Sequence, residues 1–324
     1  MVGWRPRYGG AMSREVHDGT DAPPADVHVD AELVRRLVEA QHPDLAGRVE
    51  LVASGWDNAI LRLGSRHAVR MPRRALGAQL AAGEQRWLPE LAPRLPVAIP
   101  VPVRTGAPAF GYPYPWSIVP WFDGADAASV DRASRAAAAA ALAGFVVALG
   151  DPAPAEAPEN RFPGIPLAER DALTREGLAS AALAEAFAPA DRADLVAAWD
   201  AALRAPAYDG SPVWVHGDLH PANLLLDERA ALAAVLDFGD LTSGDSATDL
   251  ATAWLTFDHV GRAAFRATVD ASGRADAATW TRARGWAIAL GVAMVSSVGV
   301  QGRIGRTGFE ALREVLADAA LERG

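Results

Sequence analysis

Residues 215–226 read VHGDLHPANLLL, and residues 235–240 read VLDFGD. The first stretch places Asp218 and Asn223 five positions apart, between two apolar runs that are typical of short buried strands. The second stretch places Asp237 at the end of another such run. These two stretches form the densest cluster of polar side chains in an apolar frame, and they are the strongest candidates for a functional site.

The three polar residues supply the groups that phosphoryl transfer needs. One carboxylate must orient the attacking hydroxyl and accept its proton, and magnesium needs hard oxygen ligands. Asp218 can supply the carboxylate, and Asn223 and Asp237 can supply the ligands. The spacing from Asp218 to Asn223 equals that of the kinase catalytic loop, and Asp237-Phe238-Gly239 matches the kinase metal-binding triplet.

In combination, order and spacing, the His-Gly-Asp-x-x-x-x-Asn and Asp-Phe-Gly-Asp patterns resemble the aminoglycoside phosphotransferase family. The resemblance implies an α+β, two-lobed, protein-kinase-like fold, with a small antiparallel sheet in the N-terminal lobe and a mostly helical C-terminal lobe. It implies Mg²⁺ as cofactor and ATP or GTP as phosphate donor. The predicted domains are a flexible tail at 1–27, a nucleotide-binding lobe at 28–122, and a catalytic and substrate-binding lobe at 123–324.

The resemblance extends to the stretch HAVRMPRR at 67–74. The family places a phosphate-binding lysine in this strand, and here the residue is Arg70. Arginine keeps the charge and can pair bidentately with phosphate, but its reach and geometry differ. Macrolide phosphotransferases have an arginine in a similar stretch. Glu84, on the following helix, matches the glutamate that pairs with this cation.

Two further nucleotide contacts follow from the resemblance. The turn SGWDN, which begins at Ser54, lies where the family covers the phosphates, although it lacks a Gly-x-Gly-x-x-Gly pattern. The stretch SIVPWFDG at 117–124 resembles the hinge between the lobes. In that register, adenine bonds the Pro120 carbonyl and the Phe122 amide. Proline has lost only its N–H, so it can still accept.

Hydrophobic periodicity and turn residues predict the elements in outline. In the N-terminal lobe we expect helices at 31–40, capped by Asp30, and 75–91, with strands at 49–53, 59–63, 68–71, 101–105 and 115–122. In the C-terminal lobe we expect strands at 213–215, 224–227 and 233–237. The predicted helices there are 130–149, 167–187, 191–204, 247–257, 260–271, 277–300 and 308–321.

Composition narrows the class of protein. The chain has no cysteine, which excludes disulfides and thiolate chemistry, and its 31 basic residues are all arginine. Residues 1–122 hold 14 arginines against 12 acidic residues, whereas residues 123–324 hold 17 against 28. This acidic half disfavours nucleic acid as a partner.

The uncharged run 285–302 predicts a buried helix rather than a membrane span, and the N-terminus has no signal-peptide pattern, so a cytoplasmic location is expected. Met12 offers a second possible start.

The sequence therefore predicts a kinase that phosphorylates a hydroxyl of a small molecule and acts as a monomer or homodimer. The acceptor stays open between aminoglycoside or macrolide antibiotics, which would make the protein a resistance factor, and a related amino-alcohol or sugar metabolite. A nucleotide-binding regulatory module without turnover is the alternative. A protein kinase fits less well, because no Ala-Pro-Glu segment follows Gly239.

Overall fold

A five-stranded antiparallel sheet forms the centre of the N-terminal lobe in the computed structural model, which describes residues 24–160 and 162–321. The strand order is β1-β2-β3-β5-β4. Their bounds are β1 Val49–Ser54, β2 Asn58–Leu63, β3 His67–Pro72, β4 Arg104–Gly106 and β5 Trp116–Pro120. β4 begins later than predicted, because Pro100 and Pro102 have no N–H to donate to a neighbouring strand.

The two faces of this sheet have different roles. Ala59, Leu61 and Leu63 alternate along β2 and pack against helix α1 (Ala31–Gln41), which Asp30 caps by accepting from the Leu33 amide at 2.8 Å. The opposite face carries Arg70, which lies across from Ile60 on β2. Arg70 thereby faces away from the core under α1 and toward helix α2 (Ala75–Leu91), which carries Glu84.

The segment before α1 is attached to the lobe. The Asp26 carboxylate accepts from the amide of Ala75, the first residue of α2, at 2.9 Å and from the Tyr114 hydroxyl at 3.0 Å. Asp26 lies in the stretch predicted to be a flexible tail, and residues 1–23 of that stretch lie outside the described residues. Asp26 caps the helix, because Arg74 at its N-cap position makes no side-chain capping bond.

The C-terminal lobe is mainly helical, as predicted, with a few short strands beside the hinge. Its helices are α3 Ala139–Leu149, α4 Asp171–Leu178, α5 Ala181–Ala186, α6 Pro189–Arg204, α7 Ala247–Leu250, α8 Thr252–Thr256, α9 His259–Ala271, α10 Ala277–Val298 and α11 Arg303–Leu321. Its strands are β6 Ala125–Asp126, β7 Val213–Val215, β8 Leu224–Leu226, β9 Leu232–Val235 and β10 Thr242–Gly244. β6, β8 and β9 form one small sheet, and β7 pairs with β10 in another.

Several predicted helix boundaries were wrong for identifiable reasons. The predicted helix 167–187 is interrupted, because Ser180 has an extended backbone and caps α5 through the Leu183 amide. The predicted helix 130–149 begins as a 3₁₀ turn over Ala133–Ala138 before α3. The predicted helix 247–257 is split into α7 and α8. α11 starts five residues earlier than expected.

Helix α10, which contains most of the uncharged run 285–302, lies within the C-terminal lobe with most of its residues buried. It packs mainly against α6, α7 and α11. Within the described part of the chain, no helix has the length and apolar character that a membrane crossing requires.

Candidate active site

The loop from His216 to Asn223, here called the catalytic loop, connects β7 to β8 and is held in place by one buried carboxylate. Asp249, on α7, accepts from the backbone amides of His216 at 2.7 Å and Gly217 at 3.0 Å. Asp249 lies inside α7, whose N-cap is Ser246, so its carboxylate serves the loop rather than the helix end. Burial raises the pKa of Asp249, although His216 and the two amides act in the opposite direction. The carboxylate thus satisfies two amides that would otherwise be buried without partners.

Asp218 is buried within this loop, and its carboxylate is held by neighbours. Its Oδ2 lies 3.2 Å from Asn223 Nδ2, which also donates to the Asp218 carbonyl at 2.8 Å, and 3.4 Å from His220 Nε2. Burial alone would raise the pKa of Asp218, but His220, His216 and the Asn223 amide hold it below its usual value. The carboxylate is therefore ionised at neutral pH and able to accept a proton.

His216 connects the catalytic loop to the strand that leads to Asp237. Its Nδ1 accepts from the Asp218 amide at 3.3 Å, so the proton of the neutral ring belongs on Nε2, which lies 3.0 Å from the Leu236 carbonyl. The ring also contacts Phe238, with the ring centroids 4.6 Å apart. The Leu236 amide in turn donates to the Asn223 carbonyl at 2.8 Å. These contacts hold the two sequence motifs side by side.

Asp237 follows β9 in a left-handed backbone conformation, with φ of +59°. The predicted strand 233–237 was therefore too long, since β9 ends at Val235. A non-glycine residue in this region is costly and is found mostly where the surrounding structure holds it for a function. Here the turn brings the Asp237 carboxylate within 3.6 Å of an Arg70 Nη2.

Arg70 and Glu84 form an ion pair at 3.0 Å, as the resemblance implied, and both side chains are nearly buried. Burial and the nearby Asp237 charge together raise the pKa of Glu84 to about 7, against the effect of Arg70. The Glu84 carboxyl also accepts from the Phe238 backbone amide. Nε of Arg70 is buried and has no hydrogen-bond partner in the described residues, so one donor remains for a ligand.

A second unsatisfied atom lies beside Asp218. Asn223 donates through Nδ2, and its Oδ1 is buried without a partner in the described part of the chain. The backbone of Asn223 is bonded to Leu236, the residue before Asp237, so this amide oxygen and the Asp237 carboxylate belong to two segments that lie side by side. Such oxygen atoms are the donors that Mg²⁺ prefers, because this ion takes one or two protein oxygens and completes its shell with phosphates and water. The residues present therefore fit a magnesium ion.

The turn between β1 and β2 is held by two arginines that sequence reasoning did not single out. Arg73 donates to the Gly55 carbonyl at 2.5 Å, and Arg74 lies 2.5 Å from the Asp57 carboxylate. Both follow Pro72 directly, so the paired arginines after a strand-ending proline were the available signal. Ser54 ends β1 at the base of this turn. The turn is thus attached to the start of α2.

The hinge segment has the orientation that base binding needs. The Trp121 amide donates to the Arg66 carbonyl on the β3 side at 2.8 Å. Because backbone groups alternate along a strand, the Pro120 carbonyl faces away from β3. In the described residues, neither this carbonyl nor the Phe122 amide has a hydrogen-bond partner. Both groups were predicted to bind adenine, and both are accessible to a ligand.

Two short segments, 158–160 and 162–164, lie against the catalytic loop and β10. The Asn160 side chain donates to the Asp240 carboxylate at 2.8 Å, and the Asn160 amide donates to Thr242 Oγ1 at 3.0 Å. Strand β10, which sequence reasoning missed, extends this contact. Asp240 and the 156–164 loop were candidates for acceptor contacts from the sequence, but the pairing of Asp240 with Asn160 could not be deduced from two positions 80 residues apart.

Gly217 is the point where these segments meet. Its φ is +88°, and a Cβ there would lie 2.5 Å from the Asp240 carbonyl oxygen and 2.8 Å from Pro163 Cγ.

We expect Gly217→Ala to lower the free energy of unfolding by about 2 kcal/mol, through backbone strain and displacement of both neighbours. Urea denaturation measures this change. Gly83→Ala is the matched control: Gly83 is inside α2 with open space around it, so the substitution should leave stability unchanged or raise it. Equal effects at the two positions would contradict the prediction.

Glu84 gives the protein a specific pH dependence. Its pKa in the folded state, about 7, exceeds its usual value of 4.5, so the folded protein holds the proton more tightly than the unfolded chain. The free energy of unfolding of the wild type, minus that of Glu84→Gln, should therefore fall as pH rises from about 4.5 to about 7. Above that range this difference should stay constant. Denaturation of both proteins across this window measures the difference. A difference that does not change with pH would contradict it.

Comparisons with known proteins identify the family and the fold of the chain. The profile of the phosphotransferase enzyme family, APH, matches residues 48–286, which is most of the chain. The chain therefore belongs to the APH phosphotransferase family, and its fold is the protein-kinase-like fold of that family, as predicted. Comparison with curated protein sequences finds no match.

Solved structures of antibiotic phosphotransferases are similar to the chain. The GDP complex of aminoglycoside 2'-phosphotransferase-IIIa is 21% identical with a TM-score of 0.63, and the alignment covers 90% of this chain and 99% of that one. Macrolide 2'-phosphotransferase MphH from Brachybacterium faecium is 25% identical with a TM-score of 0.57, covering 89% and 97%. Macrolide 2'-phosphotransferase type I is 18% identical with a TM-score of 0.55, covering 93% and 98%.

Proposed function

We propose that this protein transfers the γ-phosphate of ATP or GTP to a hydroxyl group of a small molecule. One observation carries the proposal: a single network of contacts connects the catalytic loop to the N-terminal lobe. It includes Asp218 and Asn223 on that loop, Asp237 after β9, and the Arg70–Glu84 pair of the N-terminal lobe. Each of them offers a group that in-line phosphoryl transfer uses. Nucleotide complexes of structural relatives, with GDP and with ADP, support a nucleotide as donor.

Asp218 is the residue that acts on the acceptor. Its ionised carboxylate accepts a hydrogen bond from the attacking hydroxyl and takes the proton as the new P–O bond forms. Asn223 Nδ2 keeps the carboxylate in place, and His220 adds a second contact on the same oxygen. Because the carboxylate is fixed before the acceptor arrives, little reorganisation is needed at the moment of transfer.

Arg70 and the magnesium ligands act on the donor. Arg70 uses its unsatisfied Nε to bind phosphate oxygens while Glu84 holds the guanidinium in position. Asn223 Oδ1 and the Asp237 carboxylate would hold Mg²⁺, which neutralises phosphate charge when bound. The Pro120 carbonyl and the Phe122 amide bind the base, and the turn at Ser54 covers the phosphates.

We further propose that the acceptor is an aminoglycoside, a macrolide, or a related amino-alcohol or sugar. Relatives of the same fold are described with kanamycin and with gentamicin, and MphH is a macrolide enzyme. Asn160, Pro163 and Asp240 lie beside Gly217, the residue before Asp218, and are the candidates for contacts with the acceptor.

The test is release of ADP or GDP in the presence of a panel of these alcohols, with mass spectrometry to detect addition of one phosphate. Acceptor-dependent release and a phosphorylated product are expected only with magnesium present. Magnesium-dependent nucleotide binding without a product from any acceptor would instead support a regulatory module that does not turn over.

A further inference from the structure

A cavity on the hinge side of the C-terminal lobe has four arginines among its lining residues. It has a volume of about 370 Å³ and lies between the 3₁₀ turns after β6 and the first turns of α11. It shares Ser129 and Arg303 with the wide opening beside the hinge, and none of its lining residues belongs to the network around Asp218. Its charged lining residues are Arg132, Arg135, Arg303 and Arg306, with Asp131 and Glu310. We call it the arginine cavity.

Two of the four arginines are neutralised within the protein. Arg132 lies 3.1 Å from the Glu310 carboxylate and also donates to backbone carbonyls at the end of α8. Arg303 lies 2.5 Å from the carboxylate of Asp126 on β6. These two residues contribute shape and hydrogen-bond donors to the arginine cavity but little net charge.

Arg135 is different, because it is buried without a counter-ion. It is only 5% exposed, and it donates to the carbonyls of Val130 at 3.0 Å and Thr256 at 3.2 Å. In the described residues no carboxylate lies within ion-pair distance of it. Burial, together with the charge of Arg132, lowers its pKa to about 10, although the carboxylates of Glu310, Asp131 and Asp126 act in the opposite direction from beyond ion-pair distance. A buried charge of this kind is costly unless an anion compensates it.

Arg306 adds a second uncompensated charge. It is exposed on the first turns of α11, lines the same cavity, and has no ion pair with a described residue. A single carboxylate would neutralise only one of the two guanidinium groups, whereas a phosphate-type anion can neutralise both. The planar donor fork of arginine also matches phosphate oxygens bidentately.

We propose that the arginine cavity is a second anion site, which binds a small phosphate-type oxyanion between Arg135 and Arg306, apart from the nucleotide. Its volume is at the lower end of the range of small-molecule sites, about 300–1,000 Å³, which suits a small anion. The site does not depend on the proposed phosphotransfer, since it shares no residue with that reaction.

The experiment is calorimetric titration of inorganic phosphate and of pyrophosphate into the full chain. It is done at constant ionic strength, with saturating Mg·ADP to fill the nucleotide cleft. Saturable binding is expected in the wild type. Arg306→Glu should weaken it about tenfold or more, the effect of losing one charge-assisted hydrogen bond. Arg313→Ala is the matched control, because Arg313 is exposed on the same helix and does not line the cavity.

Two further variants make the outcome decisive. Arg135→Met should abolish binding, and if it fails to fold, Arg306→Glu still tests the site. Arg70→Met should leave phosphate binding unchanged. The proposal is overturned if the wild type shows no saturable binding, if Arg306→Glu binds as the wild type does, or if Arg70→Met rather than Arg306→Glu removes binding.

Discussion

Replacing Asp218 by asparagine is expected to lower the rate of phosphate transfer by about 10²–10⁴-fold while nucleotide affinity stays the same. The substitution keeps the shape of the side chain and an oxygen that can accept from Asn223 Nδ2. It removes the charge that accepts the proton of the attacking hydroxyl. Turnover with the best acceptor and calorimetric titration of ADP measure the two quantities.

A matched control is Asp209→Asn, which makes the same chemical change at an exposed carboxylate before β7. It should leave both quantities unchanged. The assignment of Asp218 would be wrong if Asp218→Asn kept the wild-type rate, or if it lost nucleotide affinity and activity in parallel. Because the pKa of Asp218 lies below its usual value of 3.8, protonation of this group should halve the wild-type rate only at a pH below 3.8.

Replacing Arg70 by methionine is expected to lower the free energy of unfolding by about 1–3 kcal/mol at neutral pH, since Glu84, whose pKa is already about 7, can take up a proton when its partner is lost. Glu84 would be left buried without its partner and close to Asp237. The same change removes the cation that faces the phosphates, so affinity for Mg·ADP should also fall. Urea denaturation and calorimetry measure the two effects separately, and Arg66→Met, at an exposed arginine just before β3, is the matched control.

The double variant Arg70→Met with Glu84→Met separates the structural role from the binding role. Removing both charges should restore much of the stability, because no buried charge is left unpaired, but it should not restore nucleotide affinity. If the stability losses of the two single variants simply add, the pair is not coupled. If the double variant binds nucleotide like the wild type, Arg70 is not the phosphate contact.

The residues that were predictable are those fixed by spacing along the chain. Asp218 and Asn223 share one loop, so their separation in sequence limits their separation in space, and the structure places them 3.2 Å apart. The Arg70–Glu84 contact spans a single strand-to-helix connection. Most N-terminal strands were predicted to within about a residue, because alternating burial is a local pattern.

The parts that were not predictable depend on contacts between distant segments. β10 pairs with β7 although β8 and β9 lie between them in the sequence, and three residues carry no periodicity of their own. Asn160 meets Asp240, and Asp26 meets the start of α2, only because the chain has folded. The left-handed backbone of Asp237 is likewise imposed by its surroundings, since aspartate has no strong preference for it.

Arg70 also determines how this protein responds to chemical labelling. Reagents that profile nucleotide-binding enzymes by acylating the amine beside the phosphates need a lysine, and this chain contains none. A guanidinium remains protonated and is a poor nucleophile at neutral pH. Such amine-directed probes and covalent inhibitors should not label Arg70 even when nucleotide binds well. An arginine-selective dicarbonyl reagent, used with and without protecting nucleotide, would be needed to detect the site.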